Sequence, residues 1–385
     1  MKRHLCWLMF TVMAAARASA QDLPRGQIIN DVECRNDPSQ HYALYVPSNF
    51  TPARAWPVIL LFDAMARGPS GVERYQAAAE KYGYIVAGSN NSRNGPWEIA
   101  LDSARAMSAD VDRRFPVDPK RKYTGGMSGG ARVAMLLALT PGAMTGSRVA
   151  GVFASSAGFP EGLIESVPFP IFGTVGTDDF NHHEMLELDT VVKTAHRVER
   201  FEGGHTWLPV EVATDGVEWM EIQAMRTGLR PRDQRLIDEL FAKRVARAEA
   251  QKSSLDRMRE LKSIVVDFDG FKDVRPFKAR ADAMAQQQDV QDALKEVRAE
   301  DERELRMTAE VNQLRDRMKR GDNFARLKER VLKLLDQSKA ADDSSDRRVA
   351  RRVLGGFRLS LAGVRDPEVL ELLNQIRPSG QAAPK

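Results

Sequence analysis

Lys122-Tyr-Thr-Gly-Gly-Met-Ser-Gly-Gly-Ala-Arg-Val133 is the stretch on which the reading of this chain turns. Residues 122–124 suit a short buried strand and residues 131–139 a helix. Between them, Gly126-Met127-Ser128-Gly129-Gly130 matches G-x-S-x-G, the pattern of a sharp strand-to-helix turn with a serine at its tip. The flanking glycines let neighbouring backbone approach without a Cβ in the way. Such a turn exposes the serine hydroxyl, and the helix N-terminus behind it favours developing negative charge. Ser128 is therefore a candidate nucleophile, although the pentapeptide alone also suits a polar turn with no chemistry.

Outward from that turn, residues 58–62, 84–87, 149–154 and 171–175 read as further buried strands bounded by turn residues. Residues 42–46 and 198–201 fit edge strands before and after them. Helical patterns fill the gaps at 71–82, 96–115, 131–139, 184–195 and 210–225. This alternation predicts an α/β fold, a mainly parallel sheet with helices on both faces. Sites in such sheets form beyond the carboxyl ends of the strands.

Two further features lie at strand ends. Residues 171–179 run from a strand into a turn that ends in adjacent carboxylates, Asp178 and Asp179. Phe201-Glu-Gly-Gly-His205 places a histidine in a glycine turn after the next strand. The chain order Ser128, Asp179, His205 is the Ser…Asp…His order of α/β-hydrolases and differs from that of two well-known serine protease types.

GGMSGG at 125–130, GTDDFN at 176–181 and GGHTWLP at 203–209 resemble the elbow, acid loop and histidine loop of α/β-hydrolases. The resemblance covers about residues 30–227. It points to secreted bacterial esterases of the feruloyl esterase, polyhydroxyalkanoate depolymerase and dienelactone hydrolase groups. It implies a Ser128–His205–Asp179 triad, an acyl-enzyme intermediate, no cofactor and no metal, with a small-molecule or polymeric ester as substrate. In those groups the acid stands three residues after the turn glycine, which from Gly176 selects Asp179 over Asp178. The implied oxyanion donors are the backbone N–H groups of Gly129 and Met65. One departure concerns the second donor: the His-Gly pair common after the third strand is replaced by Asp63-Ala64.

Composition divides the chain. Of 385 residues, 43% are apolar, enough for more than one core. Two cysteines exclude a disulfide-stapled miniprotein, and ordinary apolar content with a net charge of +4 argues against bulk disorder. Residues 228–385 carry 35 Lys and Arg against 28 Asp and Glu, and contain no His, Cys, Trp or Tyr. They follow a helical period from Arg232 onward, with Leu236, Leu240 and Phe241 on one face and Val331, Leu332, Leu334 and Leu335 on another. The expected organisation is a catalytic α/β-hydrolase domain at 21–227 and a charged, all-α C-terminal domain at 228–385. Residues 340–346 read as a linker and residues 378–385 as a frayed end. All the catalytic candidates fall in the first domain, which leaves the tail for larger substrates, self-association or a protein partner.

Lys2, Arg3 and His4, the apolar run 5–16 and Ala18-Ser19-Ala20 have the form of a secretory signal peptide cleaved after Ala20. The chain is thus expected to be secreted or periplasmic, with no membrane span after cleavage. Cys34 is then the one remaining cysteine, read as a buried small apolar group.

Four features invite other readings. Ile264-Val-Val-Asp267-Phe-Asp269-Gly270 resembles the nucleophile motif of haloacid-dehalogenase-like phosphatases, yet its surroundings read as helical, so a loop between helices capped by Asp is expected. Adjacent His182 and His183 point about 100° apart on a helix and make a poor metal pair; a loop or helix start is expected there. Trp207 suits a pocket wall or loop packing equally. Lys and Arg interleave with Asp and Glu along the tail, a solvated helix face and not a nucleic-acid surface. Beside the esterase stand two alternatives: a serine peptidase on the same fold, and a non-catalytic binding protein with a helical docking tail.

Overall fold

The computed structural model describes residues 23–140, 142, 148–320, 324–340 and 344–376. The expected leader at 1–20, the frayed end at 378–385 and residues 341–343 of the expected linker lie outside the described residues. Ser345 and Asp346, at the end of that linker, begin a helix instead.

Eight strands form one sheet: β1 (Ile28–Cys34), β2 (Asp37–Tyr45), β3 (Trp56–Asp63), β4 (Ile85–Ser89), β5 (Val117–Met127), β6 (Gly151–Ser155), β7 (Ile171–Gly176) and β8 (His196–Phe201). Their order is β1-β2-β4-β3-β5-β6-β7-β8. β2 runs antiparallel to both its neighbours and the rest are parallel. Every residue of β3 is buried, as a central parallel strand covered on both faces requires.

Five helices provide that cover: α1 (Gly68–Tyr82), α2 (Trp97–Arg114), α3 (Gly129–Leu139), α4 (His182–Val191) and α5 (Val210–Arg226). Ala104, Met107, Val133 and Met185 of α2, α3 and α4 pack on one face. Val72, Tyr75, Val217 and Met220 of α1 and α5 pack on the other. This is the expected mainly parallel sheet with helices on both faces.

Several boundaries differ from expectation. β2 is not the edge, because β1 pairs outside it. A bulge between Ile29 and Val32 breaks the alternation of β1, so its sequence does not read as a strand. The helix expected over 184–195 starts at His182 and stops at Val191, since Ala195 already accepts a hydrogen bond from Ile171 beside the incoming β8. Cys34 is buried as expected; burial, followed by the nearby Asp110 charge, pushes its thiol up to about 12.

After Gly228, which turns with a left-handed φ of 73°, the regular elements among the described residues are all helices: α6 (Gln234–Ala250), α7 (Ser254–Phe268), α8 (Arg275–Ala285), α9 (Gln288–Lys319), α10 (Phe324–Ser338), α11 (Ser345–Ser360) and α12 (Pro367–Gln375). Ile222 and Met225 of α5 share one core with Ile237, Leu240, Leu261 and Ile264 of α6 and α7. A second tail core joins α9, α10, α11 and α12 around Val311, Val331, Leu334 and Val353.

Residues 264–268, expected as a loop capped by Asp, lie in the last turn of α7. Asp267 is buried there and accepts hydrogen bonds from Trp219 Nε1 at 2.8 Å, Arg197 Nη1 at 2.9 Å and Arg244 Nη1 at 3.2 Å. A carboxylate survives inside a packed helix because these donors satisfy it.

Candidate active site

β5 ends at Met127, Ser128 takes φ 58° and ψ −124°, and α3 begins at Gly129. A non-glycine residue at such angles is strained, and the surroundings must hold it there. They do so by close backbone contact. A Cβ on Gly126 would meet the Gly130 carbonyl at 2.4 Å, and one on Gly130 would meet Phe62 O at 2.1 Å. The elbow is pressed against β3 with no room for a methyl group. As the first residue of α3, Gly129 carries an N–H with no acceptor inside the helix.

The acid and histidine loops are held together by backbone. Thr177 N–H donates to Phe201 O at 2.9 Å and Asp178 N–H to Gly203 O at 2.8 Å. A Cβ on Gly176 would meet Gly203 O at 2.4 Å. Within this clasp His205 Nδ1 lies 2.8 Å from Asp179 Oδ1. Asp179 is fully buried, and the same oxygen accepts the Asn181 N–H at 2.8 Å. Asp178 turns the other way, to Arg351 of α11 at 2.7 Å. Of the adjacent carboxylates, Asp179 is the one that faces the histidine. The Phe180 ring stacks on the His205 imidazole with centroids 4.0 Å apart. Ser128, Asp179 and His205 follow β5, β7 and β8 at the carboxyl edge of the sheet.

Met65, the expected second oxyanion donor, has its N–H engaged elsewhere. It donates to Asp63 Oδ1 at 2.7 Å. Asp63, which stands where the resembling groups carry histidine, is buried and also accepts from Arg67 Nε at 2.9 Å, Arg67 Nη2 at 3.0 Å and Trp207 Nε1 at 2.8 Å. Trp207 thereby packs the histidine loop against α1, where a Cβ on Gly71 would lie 3.0 Å from its ring.

Asn94 is a neighbour that sequence reasoning missed: a Cβ on Gly129 would sit 1.7 Å from its Oδ1, so this amide lies over the start of α3. Its backbone N–H donates to Ala64 O at 2.9 Å, and Met65 bridges Arg93 beside it. Asn-Ser-Arg-Asn-Gly-Pro reads only as a turn, so nothing local marks this contact.

His182 and His183 begin α4 and diverge as expected. His183 Nδ1 meets Asp301 Oδ1 of α9 at 2.7 Å. His182 is buried, and burial together with the nearby Arg352, Arg200 and Arg348 charges pushes it down to about 2. Among the described residues no group of three or more His, Cys, Asp or Glu is arranged to hold a metal ion, and no helix is long and apolar enough to cross a membrane.

No family model and no curated protein matches the sequence. Solved structures similar to this chain include an esterase from Pyrobaculum calidifontis, with 14% identity and a TM-score of 0.41 over 53% of this chain and 88% of that one. The apo form of esterase 2 from Thermogutta terrifontis is similar at 14% identity and a TM-score of 0.41, over 55% of this chain and 97% of that one.

Proposed function

We propose that the chain is a serine hydrolase that cleaves carboxylic esters through an acyl-enzyme. The observation that carries this reading is the 2.8 Å contact of buried Asp179 with His205 Nδ1, at the sheet edge where Ser128 sits in a strained elbow. Asp179 holds the imidazole in the tautomer with the proton on Nδ1, leaving Nε2 as the base. His205 takes the Ser128 proton as Oγ attacks the ester carbonyl, then gives it to the departing alcohol. Water repeats the sequence on the acyl-enzyme, releasing the acid and restoring Ser128. The Gly129 N–H stabilises the tetrahedral oxyanion, with a contribution of about 2.7–4 kcal/mol for one such donor. Met65 N–H joins it only when it leaves Asp63.

Covalent labelling by a fluorophosphonate, located on Ser128 by mass spectrometry, tests the assignment together with release of p-nitrophenol from short acyl esters. Labelling and turnover that persist in Ser128→Ala would sink it. Residues 1–20 carry the accompanying proposal of export, which predicts a mature N-terminus at Gln21 by terminal sequencing of the exported protein.

A further inference from the structure

We infer that helix α11 of the tail is a working part of the site, with Arg351 and Arg352 as positioning residues that hold the acid loop so that Asp179 stays on His205. The inference rests on the triad reading above and goes beyond it, because all three triad residues lie before Gly228.

The loop from Thr177 to Phe180 is gripped at three points. Arg351 Nη1 donates to Asp178 Oδ2 at 2.7 Å. Arg352 Nε donates to Thr177 O at 2.6 Å. Arg352 is only 3% exposed and is braced from behind by Glu304 Oε2 at 2.8 Å and Glu300 Oε1 at 3.1 Å of α9. A buried guanidinium is costly unless its donors are satisfied. Here two tail carboxylates and a loop carbonyl share the task, so the loop is tied to a rigid pair of helices.

The third point is Phe180. A Cβ on Gly355 would meet Phe180 Cδ1 at 3.0 Å, and one on Gly356 would meet Phe180 Cβ at 3.8 Å. Each mid-helix glycine costs about 1 kcal/mol relative to alanine. At 355 that cost is explained by the approach of the ring that stacks on His205, whereas a Cβ at 356 would make only an ordinary contact. Residues 351, 352 and 355 lie on one side of the helix, so α11 meets the loop with a single face. His183, just past the loop, is held in addition by Asp301 of α9.

Loops that carry catalytic groups need such supports, because a misplacement of about 1 Å costs on the order of 100-fold in rate. The test uses the full chain with Arg351→Gln, Arg352→Gln and, as a control on a remote tail ion pair, Arg280→Gln. Arg280 pairs with Glu249 on the exposed face of the tail. The two positioning variants should lower kcat by about 10- to 100-fold while KM moves by less than about twofold. Both should shift or broaden the downfield proton resonance of His205 Nδ1–H, assigned by its loss in His205→Gln. The control should change neither.

Folded Arg351→Gln and Arg352→Gln proteins that keep kcat and the resonance would overturn the inference. Arg351 is partly exposed, so it carries the test alone if Arg352→Gln does not fold. If wild-type protein neither turns over esters nor takes the fluorophosphonate, the functional reading falls. The resonance then still decides the positioning role: unaltered in Arg351→Gln it refutes the grip, and altered it supports it.

Discussion

Replacing Asp267 by alanine measures how firmly the tail and the sheet are joined. The carboxylate of α7 takes hydrogen bonds from Trp219 on α5, Arg197 on β8 and Arg244 on α6. Its removal leaves the Trp219 N–H without this acceptor and takes one counter-charge from Arg197, whose guanidinium also meets Glu199. Breaking a buried pair by deleting one partner costs about 3–5 kcal/mol. The orphaned indole belongs to the same network, so its penalty is not added separately. For 385 residues, about 2.1 cal/mol/K per residue gives an unfolding entropy near 0.8 kcal/mol/K. The expected fall in Tm is thus about 4–6 °C. Calorimetry should show one transition in wild type and variant alike, because Ile222 and Met225 share a core with α6 and α7. A fall under about 1 °C would refute the weight given to the network. Two separate transitions would refute the joint core.

Other expectations concern the site. Asp179→Asn should lower kcat by about 10⁴-fold, since the amide favours the wrong imidazole tautomer; steady-state ester hydrolysis checks this. Asp178→Asn should show the smaller loss of Arg351→Gln, and a reversed ranking of the two aspartates would displace Asp179 as the acid. Gly130→Ala should prevent the elbow from forming, because its methyl would sit 2.1 Å from Phe62 O; an absence of soluble, folded protein on circular dichroism is the outcome to look for.

His182 should make the protein acid-sensitive. Its folded pKa of about 2 lies below the ordinary 6.5, so the unfolded chain takes up a proton that the fold refuses. Stability falls as pH drops below about 6.5, by about 1.4 kcal/mol at pH 5.5. His182→Gln should remove that part of the difference between urea midpoints at pH 7.5 and 5.5.

The three residues proposed for catalysis were legible because each follows a strand and sits in or beside a glycine turn. G-x-S-x-G, G-x-x-D and G-G-H are short-range signals. Asp63 was visible as a departure, but its partners Arg67 and Trp207 were not, since Trp207 is distant in sequence. The grip of α11 on the acid loop spans 175 residues from Thr177 to Arg352. Its one local trace was the Gly355-Gly356 pair inside a helical pattern. The Asp267–Gly270 run suits a loop between helices, and an unpaired carboxylate disfavours a helix interior. Only tertiary contact brings the arginines and the tryptophan that reverse that preference. β1 was hidden by its bulge, which interrupts the alternation on which strand assignment depends.

Cys34 has a consequence for experiment. Thiol reagents attack the thiolate, and this thiol is both shielded and pushed up to about 12. Reagent therefore reaches it only in molecules that have opened, and among residues 21–385 it is the one cysteine. The ratio of its modification rate to that of a free peptide thiol equals the population of the opened form when reclosing is fast. Cys34 thus serves as a native-state clock for opening at the β1 edge. An opening free energy equal to that of denaturant unfolding would mean that β1 parts from β2 only when the whole fold does, and a smaller one would mark the edge as a separately opening unit.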